Sequence, residues 1–327
     1  MNIEFTRRMS AKQLTLWREL IEASGLVADS PAENTALVYD GDELAATGGR
    51  DGCVLKLIAV ADSHRGEDLT AAVLTELRRD AFSAGYSHLF LYTKPENRYT
   101  FESLMLYPVI ESSGVLVMEN KRDGLASYLA SLPERAVGKV GALVMNCDPF
   151  TLGHRALVER AASECDRVFL FVLSEDGGRF SPEARLEMVR RGTADLAGVT
   201  VIPTGPYLIS RATFPTYFIK DRDRADTAAC EVDIEIFTRH LAPRLGITHR
   251  YVGTEPLSPL TEKYNAVLEA ALPKAGIMLT IVDRKEQNGA PISASRVREL
   301  IEKRDTGALS MLVPDTTLDY LTEHGYI

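Results

Sequence analysis

Cysteine is scarce in this chain of 327 residues: Cys53, Cys147, Cys165 and Cys230 lie far apart, and no two form a C-x-x-C pair. That pattern excludes a disulfide framework and a structural zinc spacing, and it suits a reducing compartment. Positive charge is also in deficit, with 37 Lys and Arg against 46 Asp and Glu for a net charge of -9. A general nucleic-acid or membrane-surface binder needs a basic field, so neither class fits, and a macromolecular partner has to dock on a local patch. No apolar run approaches the length of a membrane span, no signal-peptide core opens the sequence, and no tract is of low complexity. The expectation is a soluble, cytoplasmic protein.

What is present is an ordinary globular composition, 45% hydrophobic and 25% charged, over a length that suits two domains. The stretch Pro133 to Gly138 reads as a polar linker after a short helix over Leu125 to Leu132. The expected division is therefore 1–136 and 137–327. In the first part, Ser10 caps a helix from Ala11 to Ser24, and Asp40-Gly41-Asp42-Glu43 marks a hairpin between Ala36–Tyr39 and Leu44–Thr47. A strand over Val54 to Val60, a helix ending at Gly85, a strand over His88 to Tyr92, a helix over Asn97 to Leu104 and a strand over Val115 to Met118 follow.

The second part is organised around Val140 to Ala162. An apolar run, Ala142 to Met145, breaks at the turn-forming residues Asn146 to Pro149, and a helix begins near Gly153. Strand, tight loop and helix opening make an anion site, because the free N–H groups of the first helical turn and its dipole face the same point. Further βαβ units follow, with strands over Val168–Leu173, Val199–Ile202, Tyr251–Val252 and Thr280–Val282, and a helix opened by Ser181-Pro182-Glu183. The loop at Gly253 closes the strand at Tyr251–Val252, the fourth when Ala142–Met145 is counted, a place where open α/β sheets bind ligands. Arg211 and Lys220, in an aromatic-rich stretch, are candidates to face anions, or the stretch is simply a packed loop. Near the end, Pro291-Ile292-Ser293-Ala294-Ser295-Arg296-Val297-Arg298 opens another helix, capped by Ser293 or Ser295, with Arg298 one turn further on.

Several of these segments resemble known families. Thr151-Leu152-Gly153-His154 resembles the nucleotidylyltransferase signature [H/T]-x-G-H, and Pro291 to Arg298 resembles that superfamily's I-S-S-T-x-x-R element. Phe180-Ser181 with Glu183 and Arg185 is similar to the segment after the second strand of pantetheine-phosphate adenylyltransferases. It implies that Arg185 lies on the helix face toward the nucleotide; a solvated surface arginine is the plain alternative. Where those relatives carry a phosphate-contacting lysine, this sequence has Ser174, so a compensating charge has to come from Arg179 or elsewhere. The element order of the first part resembles the GNAT acyltransferase fold, with His64 to Leu69 at its pyrophosphate loop and Asn97 and Phe101 on its following helix. Asp68 departs from that loop, because a carboxylate repels a pyrophosphate. A docking platform for a carrier protein or its CoA-like arm, or an inert scaffold, are both open.

A GNAT-like α+β domain ahead of a Rossmann-like nucleotidylyltransferase domain with a parallel sheet, together with the blocks Asn146 to His154, Ser210 to Pro215, Val252 to Pro256 and Pro291 to Arg298, resembles the citrate (pro-3S)-lyase ligase family. That resemblance implies ATP and acetate as substrates, Mg²⁺ with the ATP, and acetyl-adenylate as intermediate. The acceptor would be the thiol of the phosphoribosyl-dephospho-CoA group on the acyl carrier subunit of citrate lyase, with AMP and pyrophosphate released. It implies His154 and Arg298 as catalytic residues, and Asn146, Phe150, Thr151, Gly153, Gly253, Ser293 and Ser295 with them around the nucleotide. No protein-held metal site is implied, and Cys147 reads as a small buried filler. Two other readings stand beside it. One is an adenylyltransferase acting on a pantetheine phosphate or nicotinate nucleotide. The other is an acetyl-CoA-dependent acyltransferase, against which Asp68 speaks.

Overall fold

Local sequence rules fix most of the elements, and their order along the chain divides them into two units in a computed structural model. One comprises Met1–Ser127 with Thr213–Val232, the other Tyr128–Ala212 with Asp233–Ile327. The structure describes all residues except 176, 209–216, 220, 255–258 and 288, so Arg211, Lys220 and the block Ser210 to Pro215 lie outside the described residues, as do Glu255 and Pro256.

The first unit is built on a seven-stranded sheet, β1 (Asn2–Thr6), β2 (Asn34–Asp40), β3 (Glu43–Asp51), β4 (Val54–Val60), β5 (Phe90–Thr93), β6 (Tyr107–Ser112) and β7 (Val115–Glu119), in the order β1-β2-β3-β4-β5-β7-β6. Helix α1 (Ala11–Ala23) starts at Ser10 with a closed capping box: Ser10 Oγ accepts from the Gln13 N–H, and Gln13 Oε1 accepts from the Ser10 N–H. Its Trp17, Leu20 and Ile21 are buried in one cluster with Leu37, Leu44 and Leu57, each such side chain contributing roughly 1.5–3 kcal/mol on burial. Helices α2 (Leu69–Ser83) and α3 (Arg98–Ser103) supply a second cluster through Val73, Leu77 and Phe101. Strands β1 and β6 add to the expected elements. Both lie at sheet edges, and their mostly unburied residues carry little apolar alternation to announce them. With them the unit has the GNAT-like α+β architecture.

Strands β4 and β5 are the one parallel pair of this sheet, and their ladder covers only Val54↔Phe90 and Leu55↔Leu91. Leu57, within β4, has a positive φ of 55° where the register of β4 against β3 shifts. The returning segment ties this region together. The Tyr217 hydroxyl donates to the Tyr92 carbonyl at 2.7 Å, and the Tyr217 carbonyl accepts from the Val27 N–H at 2.6 Å. A cavity of about 640 Å³ adjoins it, lined among others by Gly66, Asp68, Thr93, Asn97, Phe101 and Tyr217. Asp68 caps α2 from the left-handed region, and its side chain makes no capping bond.

Helix α4 (Gly124–Ser131) spans the division at Ser127, and the second unit is built on a five-stranded parallel sheet of β8 (Val140–Met145), β9 (Arg167–Val172), β10 (Val199–Pro203), β11 (His249–Gly253) and β12 (Met278–Val282). The order β10-β9-β8-β11-β12 is that of a doubly wound, Rossmann-like sheet, with the reversal of direction between β8 and β11. Helices α5 (Leu152–Glu164), α6 (Pro182–Thr193), α8 (Ala242–Leu245), α9 (Pro259–Ala271), α10 (Ala294–Lys303), α11 (Thr306–Leu309) and α12 (Asp315–Glu323) belong to this unit, as does a short hairpin of β13 (Glu286–Gln287) and β14 (Ala290–Pro291), while α7 (Arg222–Ile236) runs from the first unit into the second. All six residues of β8 pair with β9, whereas only Gly141 and Ala142 pair with β11. The sheet therefore opens toward the carboxyl end of β8, where a crevice for ligands forms at a reversal of strand order.

The Tyr217 anchor is testable. Tyr217→Phe keeps the ring and removes one hydrogen bond to a strand carbonyl, so the first unit should lose about 1 kcal/mol of stability. Urea unfolding of the full chain checks this, and an unchanged midpoint would mean the hydroxyl carries no load.

Candidate active site

The loop from Asn146 to Thr151 has to turn the chain from the end of β8 into α5 within six residues. It does so with Cys147 in the left-handed region, φ 54°, and a cis Asp148–Pro149 peptide. Cys147 is buried, and burial pushes its thiol well above the ordinary range, so it stays protonated and packs as a small apolar group. Phe150 is fully buried, and Gly192 leaves room for its ring: a Cβ there would stand 2.5 Å from it. The same ring lies nearly parallel to the His154 imidazole, 6.0 Å between centres.

Thr151 caps α5 and is also buried. Its Oγ1 accepts from the His154 N–H at 3.2 Å, while the Thr151 N–H donates to His154 Nδ1 at 3.1 Å. With Nδ1 engaged as an acceptor, the imidazole proton belongs on Nε2, which makes that nitrogen the donor. Burial first, and the Arg284 charge second, push the His154 pKa down to about 4. The ring is neutral at physiological pH.

Asp148 draws the remaining pieces together. Its carboxylate accepts the Arg179 N–H at 3.1 Å and the Phe180 N–H at 3.0 Å, and its carbonyl accepts Arg298 Nη1 at 2.5 Å. Arg298 Nη1 also stands 3.4 Å from Asp148 Oδ2, and its Nη2 donates to Ser295 Oγ at 3.0 Å. Gly178 passes so close that a Cβ would meet the Asp148 carboxylate at 3.0 Å. Ser293, not Ser295, caps α10, accepting from the Arg296 N–H at 3.2 Å. Gly153 sits against Ile292, whose Cβ and carbonyl lie 3.5 Å from where a glycine substituent would be. The openings of α5 and α10, about 140 residues apart in sequence, are thus neighbours in space.

Other expected residues fall differently. Gly253 ends β11, and its carbonyl accepts from Asn265 Nδ2 at 3.4 Å. Thr151 and Phe150 lie beneath the site, holding His154 from below. Arg185 is not a solvated surface arginine: it is 1% exposed, and its Nη1 donates to the Asn146 carbonyl at 3.3 Å. Arg179 pairs with Glu302 at 2.9 Å, and Ser174 Oγ accepts from the Gly205 N–H at 3.1 Å. Sequence reasoning passed over Asp148 and Arg284. Arg284 donates to the Thr254 carbonyl at 2.8 Å just after β12, and its charge reaches His154. Its position beyond the carboxyl end of a parallel strand was the available clue.

The family model for the citrate lyase ligase C-terminal domain matches residues 140–321. The citrate (pro-3S)-lyase ligase of Klebsiella pneumoniae is 45% identical over 305 residues, 91% of this chain and 89% of that protein. The chain belongs to the citrate lyase ligase family. The corresponding ligase of Escherichia coli K12 is 40% identical over 327 residues, 97% of this chain and 93% of that protein. A phosphopantetheine adenylyltransferase of Streptococcus equi subsp. zooepidemicus is 24% identical over 167 residues, 47% of this chain and 99% of that protein. In this member of the citrate lyase ligase family, no helix among the described residues is long and apolar enough to cross a membrane. Among those residues no cluster of three or more His, Cys, Asp or Glu could hold a metal ion.

The half-buried imidazole has a consequence for acid stability. As pH falls, the unfolded chain takes up a proton at His154 near its ordinary value of about 6.5, and the folded chain only near 4. A group that binds protons more readily when unfolded lowers stability as pH drops, here between about 6.5 and 4. His154→Gln should therefore lose less stability than the wild type between pH 7 and pH 5 in urea titrations. Equal losses would show that the imidazole titrates normally.

Proposed function

We propose that this protein is the ATP-dependent ligase that activates citrate lyase. It joins acetate to ATP as acetyl-adenylate and passes the acetyl group to the thiol of the CoA-like prosthetic group on the lyase's acyl carrier subunit. The observation that carries this reading is the meeting of the two helix openings, with Gly153 against Ile292 and Arg298 on Asp148, at the carboxyl end of β8. Family membership supports the reaction, and that meeting supports binding of the ATP phosphates there.

In the first step a carboxylate oxygen of acetate attacks the α-phosphorus, the bond to the β-phosphate oxygen breaks, and pyrophosphate leaves. Acetate is a weak nucleophile, so the geometry must be held and the charge gathering on the phosphates met by fixed donors. His154 Nε2–H and the Gly153 N–H at the opening of α5 serve the α- and β-phosphates. Ser293, Ser295 and Arg298 serve the departing pyrophosphate, and Asn146 and Gly253 border the nucleotide. A neutral histidine suits this task, since it donates without needing to shed a proton. Mg²⁺, expected with ATP, would screen the remaining phosphate charge. In the second step the thiol sulfur attacks the acetyl carbon, the thiol proton goes to solvent or base, and AMP leaves. The protonated, buried Cys147 takes no covalent part.

Pyrophosphate exchange into ATP that depends on acetate alone tests the reading, because an adenylyltransferase for a phosphorylated acceptor would need that acceptor instead. His154→Ala should lower this exchange by roughly two to three powers of ten, the scale for losing one preorganised donor. A variant that folds and keeps near wild-type exchange would remove His154 from the chemistry.

Arg298→Ala should weaken ATP binding and turnover together, and Arg298→Lys should recover only part of either, since lysine restores charge without the planar fork. Steady-state kinetics of both variants check this. Full recovery by lysine would mean that charge alone suffices.

A further inference from the structure

Arg185 lies on α6 with 1% of its surface exposed, and among the described residues it forms no ion pair with a carboxylate. Its Nη2 donates to the Glu175 carbonyl, its Nη1 donates to both the carbonyl and the side-chain Oδ1 of Asn146, and its Nε has no partner. A guanidinium has five N–H donors and no acceptor. The Asn146 amide therefore has only one way to face it, oxygen inward. Its Nδ2 then points the other way, and Asn146 is itself an exposed residue at the mouth of the crevice, directly after β8. Among the described residues no protein group accepts from that Nδ2.

We propose that Arg185 is a positioning residue that fixes the polarity of Asn146, so that both Nδ2 protons are presented to an oxyanion in the crevice. The oxyanion is either a phosphoryl group of ATP or the carboxylate of the acid substrate, which offer the same acceptor chemistry. This rests on the reading that the crevice after β8 binds ATP and acetate. A bare asparagine can turn its amide over and offer an acceptor instead, at no cost in shape. The buried guanidinium removes that freedom. It also accounts for a cation being kept in the interior with a carbonyl-rich shell and an orphaned Nε, an arrangement that stability alone disfavours.

Two substitutions in the full chain separate this role from a structural one. In Asn146→Asp the inward oxygen still accepts from Arg185, and the buried cation gains a counter-charge. The outward atom becomes a negatively charged acceptor where a donor stood. In Asn146→Ala both atoms are lost, and Arg185 loses an acceptor. Melting temperature should therefore run Asn146→Asp at or above wild type, with Asn146→Ala below it. Ligand affinity should run in a different order: wild type, then Asn146→Ala, then Asn146→Asp, the last at least tenfold weaker than the alanine variant. Calorimetry with Mg-ATP and the acetate KM of the exchange reaction give the two arms. A loss confined to the first identifies a phosphoryl group, and one confined to the second identifies the carboxylate. Arg185→Gln, which can accept as well as donate, releases the amide and should weaken the same arm.

If the wild type binds ATP but Asn146→Asp binds both ligands no worse than Asn146→Ala, affinity merely follows stability and the positioning role is overturned. An Asn146→Asp protein that melts below Asn146→Ala or fails to fold overturns it as well, since the inward oxygen would then not be the one Arg185 holds. A wild type that binds neither ATP nor acetate would instead overturn the site reading, and this proposal with it.

Discussion

The second unit depends on how one buried carboxylate is satisfied. Asp148 is 6% exposed, and a carboxylate taken from water without partners costs several kcal/mol. Its partners come from two separate stretches of chain, the N–H groups of Arg179 and Phe180 and the guanidinium of Arg298 on α10, both brought to the loop before α5 that carries Asp148 itself. Each of these stretches is held in place by the need to meet the same two oxygens. Gly178 is required because the loop before Arg179 passes too close to Asp148 to carry a side chain without displacement. The helix openings that make up the site are adjacent because this carboxylate leaves them little alternative.

Around that anchor the chemistry is one of donors. Arg298, Arg185 and Arg284 converge on a small region, two helix openings add unpaired N–H groups, and His154 is kept neutral with its free proton on Nε2. The overall excess of acid in the chain does not describe this region. Two of the three guanidiniums are held by oxygens of the loop after β8 itself, Asn146 and Asp148. That arrangement fixes planar forks in place before any ligand arrives, the condition under which electrostatic stabilisation acts with least reorganisation. Cys147, in the middle of the same loop, is removed from the chemistry by burial that raises its pKa.

The first unit follows a different logic. Its parallel pair β4 and β5 stops after two residue pairs, and the open end is met by Tyr217, more than a hundred residues further along the chain. Its cavity of about 640 Å³ has Asp68 on its wall, with a side chain that is not consumed in capping α2. The element order of this unit was readable from turns, caps and alternation, because these are local signals. The edge strands β1 and β6 were not, since an exposed edge needs little apolar patterning. Nothing local in the sequence marks Thr213–Val232 as part of the first unit.

What the sequence determined by itself is the grammar of the elements. Ser10, Ser181 and one of Ser293 and Ser295 were readable as helix caps, because a short oxygen-bearing side chain next to free N–H groups needs no distant help; the structure added Thr151 and chose Ser293. The run Ala142 to Met145 reads as an interior strand because it is apolar on both faces, and the structure extends it back to Val140. Tertiary structure decided which of the polar residues face a ligand and which hold another residue in place. Thr151 and Phe150 sit beneath His154, Arg185 lies inward on Asn146, and Asp148 ties Arg298 to the loop. Sequence spacing gives the face of a helix, but a long arginine or a turn aspartate reaches partners set by the packing of other elements. Charge and burial at each position are therefore properties of the assembled unit, fixed only when the strand order brings the helix openings to one end of the sheet.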